Sequence, residues 1–252
     1  MTGLPVVDIE REINMKNTPI RLSALVAAMA FSGAVSAYEE GDIVVRVGVT
    51  TVVPQDSSDL LAFNGSEAGL SAAIGGGNAG LEVDSSTQLG LTAEYMFSNK
   101  WGVELLAATP FEHDADGTGK LSGLDIGEAK QLPPTLSAIY HFDTVEKLQP
   151  YVGIGINYTI FFDEEVTDEA QAVFIGINPG LTGADLELEN SIGLSVQIGT
   201  DYHISDNVSL NASVRWIDIE TEAEITFDSG DKISADVSID PIVYTVAVGY
   251  KF

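Results

Sequence analysis

From Asp42 onward, apolar side chains recur at every second position in runs of about ten residues, the length a tilted strand needs to cross a bilayer. A period of two puts alternate side chains on opposite faces of a strand, so each run owns one apolar face. The last run is the clearest. Ile242, Tyr244, Val246, Val248, Tyr250 and Phe252 share one face, while Val243, Thr245, Ala247, Gly249 and Lys251 share the other. The same split recurs in seven earlier segments, which predicts strands near 42–53, 86–97, 101–113, 133–142, 150–162, 189–203, 207–227 and 233–252.

The second face of these strands is mostly Gly, Ser, Thr, Asn and Gln with isolated charges. A soluble barrel with an apolar interior would need a charged exterior row, which is missing. Small polar residues instead suit a crowded lumen, so the apolar rows face lipid. Tyr95, Phe97, Trp101, Tyr140, Phe142, Tyr250 and Phe252 all fall at the same ends of their strands, as an aromatic girdle at one membrane interface requires. Three connections are short, at 98–100, 143–149 and 205–207. Four are longer, at about 54–85, 113–131, 163–189 and around 228–231. The expected fold is therefore all-β, an eight-stranded antiparallel transmembrane β-barrel with long extracellular loops and both termini in the periplasm.

Outside the first 40 residues no run approaches the roughly 20 apolar residues of a spanning helix, despite a mean hydropathy of +0.16. Leu22 to Val35, preceded by Lys16 and Arg21 and followed by Val35-Ser36-Ala37, reads as an export signal cleaved after Ala37. Asp8, Glu10 and Glu12 are wrong for a cationic leader, so translation is expected to begin at Met15. This divides the chain into an extension and leader at 1–37 and a barrel at 38–252. The leader segment holds equal numbers of acids and bases, so the remainder keeps the net charge of −27. That excess repels polyphosphate and excludes nucleic acid as a partner. The acids either solubilise the loops or face lipopolysaccharide and divalent cations.

Seven inward positions are ionisable: Arg46, Glu94, Glu104, His141, Asp201, Arg215 and Lys251. Buried charges persist when paired, and eight strands leave an interior wide enough only for side chains, so a salt-bridged plug is expected rather than a water pore. A proton or ion relay is the alternative use of such a set. Catalytic chemistry finds no footing. There are no cysteines, and His113, His141 and His203 stand in no nucleophile or metal spacing, so no catalytic residue, metal or cofactor is expected.

Pro110 lies toward the outer end of the third strand, and Pro133-Pro134 open its hairpin partner at similar height. Proline donates no ladder hydrogen bond, so these residues either leave a gap in the wall or merely end two strands at the loop boundary. The long loops carry Leu61 and Phe63 in the first and Phe174 in the third, where Val166, Ala170, Val173 and Phe174 have helical spacing. These side chains pack the loops together or line a greasy vestibule, which the inward Leu106 and Phe161 would continue.

Several stretches carry a resemblance. They are Thr87-Gln88-Leu89-Gly90-Leu91-Thr92, the run Gly102 to Phe111, Leu132-Pro133-Pro134-Thr135-Leu136, Pro150-Tyr151-Val152-Gly153 with Asn157-Tyr158, and the terminal Gly249-Tyr250-Lys251-Phe252. In order and over nearly the whole barrel segment, the chain resembles the outer membrane protein W family, which includes alkane-uptake barrels of the AlkL kind. The resemblance implies a hydrophobic extracellular funnel closed toward the periplasm. It also implies lateral release of small hydrophobic ligands into outer-membrane lipid through a gate, here Pro110, Pro133 and Pro134. It further makes Phe252 the signal read by the barrel-assembly machinery. A structural or interaction barrel with acidic loops and an inert lumen is the competing expectation.

Overall fold

The computed structural model describes residues 38–55 and 57–252. The expected leader at 1–37 lies outside them. The chain rises through β1 (Ile43–Val53) into a first loop that carries β2 (Ser57–Ser58), β3 (Ala62–Phe63), helix α1 (Glu67–Ala73) and β4 (Leu81–Val83), and returns as β5 (Ser86–Met96). It rises again as β6 (Trp101–Ala108) and continues above the barrel as β7 (Phe111–Gly117). It then turns and descends as β8 (Asp125–Leu132) and β9 (Thr135–His141). The long β10 (Leu148–Val166) leads to helix α2 (Asp168–Ile177), β11 (Asp185–Leu188) and the descending β12 (Ser191–His203). Finally β13 (Val208–Ile217) and β14 (Glu220–Thr226) go up, and β15 (Lys232–Ser238) and β16 (Ile242–Lys251) come down.

Eight of these strands close a ring in the order β12-β13-β16-β1-β5-β6-β9-β10, with β10 pairing back to β12, all antiparallel. Closure gives every crossing strand a neighbour on both sides, which lipid demands of a backbone with no water to bond. The outward rows are those expected from the period of two. Val47, Leu91, Leu105, Ile154, Ile198, Leu210 and Val246 are exposed, whereas Arg46, Thr92, Glu104, Gln197, Asn211 and Ala247 are buried. At the short-turn end, Trp101 packs edge-on against Tyr140, Tyr140 against Phe142, and Tyr250 against Phe252.

Above the ring the structure departs from the expected boundaries. Residues 113–131, expected to be a loop, form most of the β7–β8 hairpin, paired from Phe111↔Gln131 to Asp116↔Asp125. The two longest expected strands are each broken, at 218–219 and at 239–241. Two causes act at these breaks. Proline at 110, 133, 134 and 241 lacks the ladder donor, and Asp240 adopts a left-handed backbone at φ 39°. The barrel therefore continues outward as two inclined hairpins.

One of these hairpins joins β10 and β4 in an extension of the barrel wall. The other builds a separate sheet in the order β11-β14-β15-β2, with β3 added to β15. Between them lies an apolar core of Leu61, Leu70, Ile126, Ala170, Phe174, Ile225, Phe227 and Ile233. The third loop forms its helix as the spacing predicts. Thr167 caps α2 by accepting a hydrogen bond from the Ala170 N–H at 3.0 Å, and Ala170 and Phe174 are turned into the core.

Candidate functional site

The lower lumen is filled by charge. Arg46 Nη1 lies 2.9 Å from Glu94 and 3.4 Å from Glu104, while Nε and Nη2 grip the two Asp201 oxygens at 3.2 and 2.8 Å. Arg215 Nη2 donates to Glu104 at 2.7 Å and to Gln197 at 2.8 Å, and the His141 ring bonds the second Glu94 oxygen at 2.7 Å. Asn211 donates to Asp201 at 3.0 Å and to the Tyr151 hydroxyl at 3.0 Å. All six ionisable groups are at least nine-tenths buried. Their mutual pairing and the added amide bonds are what make such burial tolerable.

Lys251, the seventh inward position, is not part of this cluster. It reaches Asp42 at 3.5 Å nearer the periplasmic end. Sequence reasoning missed Tyr38, which is buried below the network with its ring edge-on to His141 and His203. It precedes the first strand, so no periodicity marks it. The void left among Arg46, Glu104, Tyr151, Asn211 and Arg215 is about 10 Å³, no more than one water molecule needs.

Above the network the lining changes character. Asn157 donates to Thr135 at 3.0 Å and accepts from Thr159 at 2.7 Å, forming a last polar layer. Over it, Val52, Phe111, Phe161, Ile217, Ile239 and Val243 pack in an apolar floor. Higher still is an apolar cavity of about 80 Å³ between the two extracellular hairpins, with Phe161, Phe174, Leu61, Ile225, Ile233 and Val237 in its wall. Of the residues singled out from the sequence, Leu61, Phe161 and Phe174 thus meet at one chamber. Phe63 packs against the outer core instead, and Leu106 sits lower, against the charged lumen.

The chamber wall also holds the polar residues His113, Glu128, Gln131 and Thr221, of which His113 and Gln131 meet each other. His113 bonds the Asp84 carbonyl oxygen through Nδ1 at 2.6 Å, and Gln131 Nε2 lies 2.8 Å from His113 Nε2. Burial holds the His113 imidazole below its ordinary pKa. Neither chamber position follows from the sequence, because no apolar row alternates over 113–131.

None of the three prolines lines this chamber; they sit in the wall between the Leu106↔Thr135 and Phe111↔Gln131 pairs. Ladder pairing between β6 and β9 ends at Leu106↔Thr135 and resumes between β7 and β8 at Phe111↔Gln131. Residues 107–110 therefore face 132–134 with no paired residues between them. Each lip stays bonded to its outer neighbour. The Thr109 N–H donates to the Leu89 carbonyl at 3.1 Å, and the Pro134 carbonyl accepts from the Tyr158 N–H at 3.0 Å. The other break, at 218–219 and 239–241, is stitched: Ile217 donates to the Pro241 carbonyl at 3.2 Å, Ile239 to the Ile219 carbonyl at 2.8 Å, and Ile219 to the Asp240 carboxylate at 3.2 Å.

Comparison with known proteins meets this geometry. The chain is 44% identical to outer membrane protein W of Vibrio cholerae serotype O1, over 94% of this chain and 100% of that protein. It is 26% identical to outer membrane protein AlkL of Ectopseudomonas oleovorans, over 85% of this chain and 84% of that one. The crystal structure of the outer membrane protein OprG from Pseudomonas aeruginosa superposes with a TM-score of 0.74 at 40% identity, covering 86% of this chain and 99% of that one. The model of the OmpW family matches residues 39–252. A closed eight-stranded barrel with this match across its whole length is an outer-membrane protein, and the chain belongs to the OmpW family.

Proposed function

We propose that the protein is not an enzyme and that it passes small hydrophobic molecules from the extracellular chamber sideways into the outer leaflet. The observation that carries this reading is the placing of an apolar chamber above a salt-bridged plug, with an unpaired stretch of wall at the level between them. The contrast between the two breaks supports it. Both interrupt a strand pair at the same transition out of the ring, yet among the described residues one is sewn by three hydrogen bonds and the other by none of that kind. The partners on this reading are the ligand, the surrounding lipid and lipopolysaccharide, and the assembly machinery that inserts the barrel.

Replacing Pro110 and Pro133 together by alanine restores two backbone donors at the seam. Uptake of a hydrophobic tracer by liposomes carrying the double variant should fall at least severalfold while the barrel still folds. Unchanged uptake by the folded variant would remove the seam as the exit. Uptake no faster than in empty liposomes, for the unaltered protein, would instead favour an inert interaction barrel.

A further inference from the structure

The His113–Gln131 pair has an orientation that its chemistry fixes. A carbonyl oxygen only accepts, so the short contact to Asp84 requires the proton of His113 to sit on Nδ1. In the neutral ring Nε2 is then an acceptor, and Gln131 must present its NH2 group to it, as the 2.8 Å contact has it. The same logic turns the Gln131 side-chain carbonyl away from the histidine. That oxygen, Oε1, finds no hydrogen-bond partner among the described residues, although Gln131 is only 2% exposed and lines the chamber. The low imidazole pKa agrees, because a ring that stays neutral keeps the amide turned this way.

A buried acceptor without a donor costs free energy, and the described residues offer it none. The amide cannot solve the problem by flipping, since that would set its oxygen against the lone pair of His113 Nε2. The donor therefore has to arrive from outside. The position is telling: Gln131 lies two residues before Pro133 and pairs with Phe111, at the upper margin of the unpaired seam.

We propose that the chamber selects apolar molecules bearing a hydroxyl or other single hydrogen-bond donor, which Gln131 Oε1 accepts while the hydrocarbon remainder lies against Phe161, Ile233 and Val237. This rests on the uptake reading above and narrows its ligand class from plain hydrocarbons to short alcohols and similar donors. The cavity of about 80 Å³ limits an undisturbed occupant to a few heavy atoms. An apolar cavity of roughly 150 Å³ is what takes up benzene. A longer chain would extend toward the seam.

The test uses two isomers of equal composition, 1-butanol and methyl propyl ether. Both carry an acceptor oxygen, and only the alcohol carries a donor. Each is titrated into the full protein in lipid nanodiscs, with the NMR signals of the Gln131 side-chain amide and the His113 ring as readout and free ligand corrected for bilayer partitioning. The alcohol should bind about tenfold more tightly than the ether, as expected where a site built to bond a hydroxyl meets an analogue without one. Gln131→Met combined with His113→Phe, which loses the carbonyl and leaves no unpaired ring nitrogen to replace it as acceptor, should abolish that preference, read on the backbone amides of 111–117 and 125–132, and leave ether binding unchanged.

Equal affinities in the unaltered protein would overturn the proposal, with an ordered water satisfying Oε1, and would leave the uptake reading standing. A preference that survives the double change would also overturn it. Failure of both isomers to perturb any chamber signal would remove the chamber as a ligand site, and the uptake reading with it. If the variant does not fold, the isomer pair on the unaltered chain still decides.

Discussion

Replacing Arg46 by methionine removes the centre of the lumen network. The guanidinium is 2% exposed and serves three carboxylates, so its loss does not affect them equally. Glu104 keeps Arg215 at 2.7 Å, whereas Glu94 and Asp201 lose their guanidinium and are left with His141 and Asn211 as hydrogen-bond partners. Breaking a buried pair from one side typically costs about 3–5 kcal/mol, because the remaining charge stays buried without its counter-ion. The retained hydrogen bonds argue for that range rather than for a multiple of it. With a urea dependence of about 2 kcal/mol per molar, the midpoint should fall by on the order of 2 M. Equilibrium unfolding in lipid vesicles, followed by the fluorescence of Trp101 and Trp216, measures the shift. The combined change Arg46→Met, Glu94→Gln and Asp201→Asn should recover most of the loss, since it removes the orphaned charges with the cation. A midpoint within 0.5 M of the unaltered protein, on the order of 1 kcal/mol, would refute the reasoning. So would a triple variant no more stable than the single one. The exposed Lys100–Asp143 pair is the control, and Lys100→Ala should shift nothing measurable.

Thr167→Ala removes the cap of α2 and a bond to the Asp125 carbonyl at 2.6 Å, and should lower the local stability of that helix by about 1 kcal/mol, read as faster amide exchange over 168–177. Phe174→Ala takes a 2% exposed ring from its edge-to-face contact with Phe227. It should destabilise the extracellular core by about 3–5 kcal/mol, a cost that thermal unfolding would report and that a midpoint unchanged within error would contradict. Acid should loosen the chamber. The folded His113 has a lowered pKa, so below the unfolded value near 6.5 the unfolded state binds more protons and stability falls as pH drops. Amide exchange in β7 and β8 should accelerate between pH 7 and 5, and His113→Phe should flatten that dependence. Deleting Phe252, which is exposed and whose N–H donates to the Ile43 carbonyl at 2.9 Å, should reduce outer-membrane assembly with little effect on refolding in detergent.

The crossing strands were legible because lipid on one side and a packed lumen on the other enforce a strict two-residue period. The same parity placed Arg46, Glu94, Glu104, His141, Asp201 and Arg215 inside. It could not say which carboxylate meets which guanidinium, since Arg46 and Asp201 are 155 residues apart and come together only when the ring closes. Nor did it separate Lys251 from the cluster, because parity gives a face and not a height. The β7–β8 hairpin was illegible for a different reason. Its inward side chains include His113, Ala115, Ala129 and Gln131, and its outward ones Glu112, Asp114 and Glu128, so no apolar row alternates with a polar one. The prolines were visible as residues. That one of the two breaks is sewn and the other is not depends on Asp240 and Ile219 meeting across a hairpin, which no local pattern records.

These arrangements bear on the choice between a sideways and a downward path. A hydrophobic molecule descending from the chamber meets Asn157 and Thr135, then a void of about 10 Å³ among the ion pairs. To pass, it must separate Arg46 or Arg215 from their carboxylates without offering either charge a replacement, and orphaning a buried charge costs about 3–5 kcal/mol. Several such contacts lie in series, and the solute gains no burial on the way because it already occupies an apolar site. The sideways path removes no charge from its partner. At residues 107–110 and 132–134 the two lips are bonded to their outer neighbours, so parting them leaves those hydrogen bonds intact, and on the proposed reading the lipid beyond would receive the solute in an equivalent apolar environment. The proposed function ties the plug and the seam together: on that reading a salt-bridged lumen blocks the way down while the unpaired wall above it gives apolar molecules a way out.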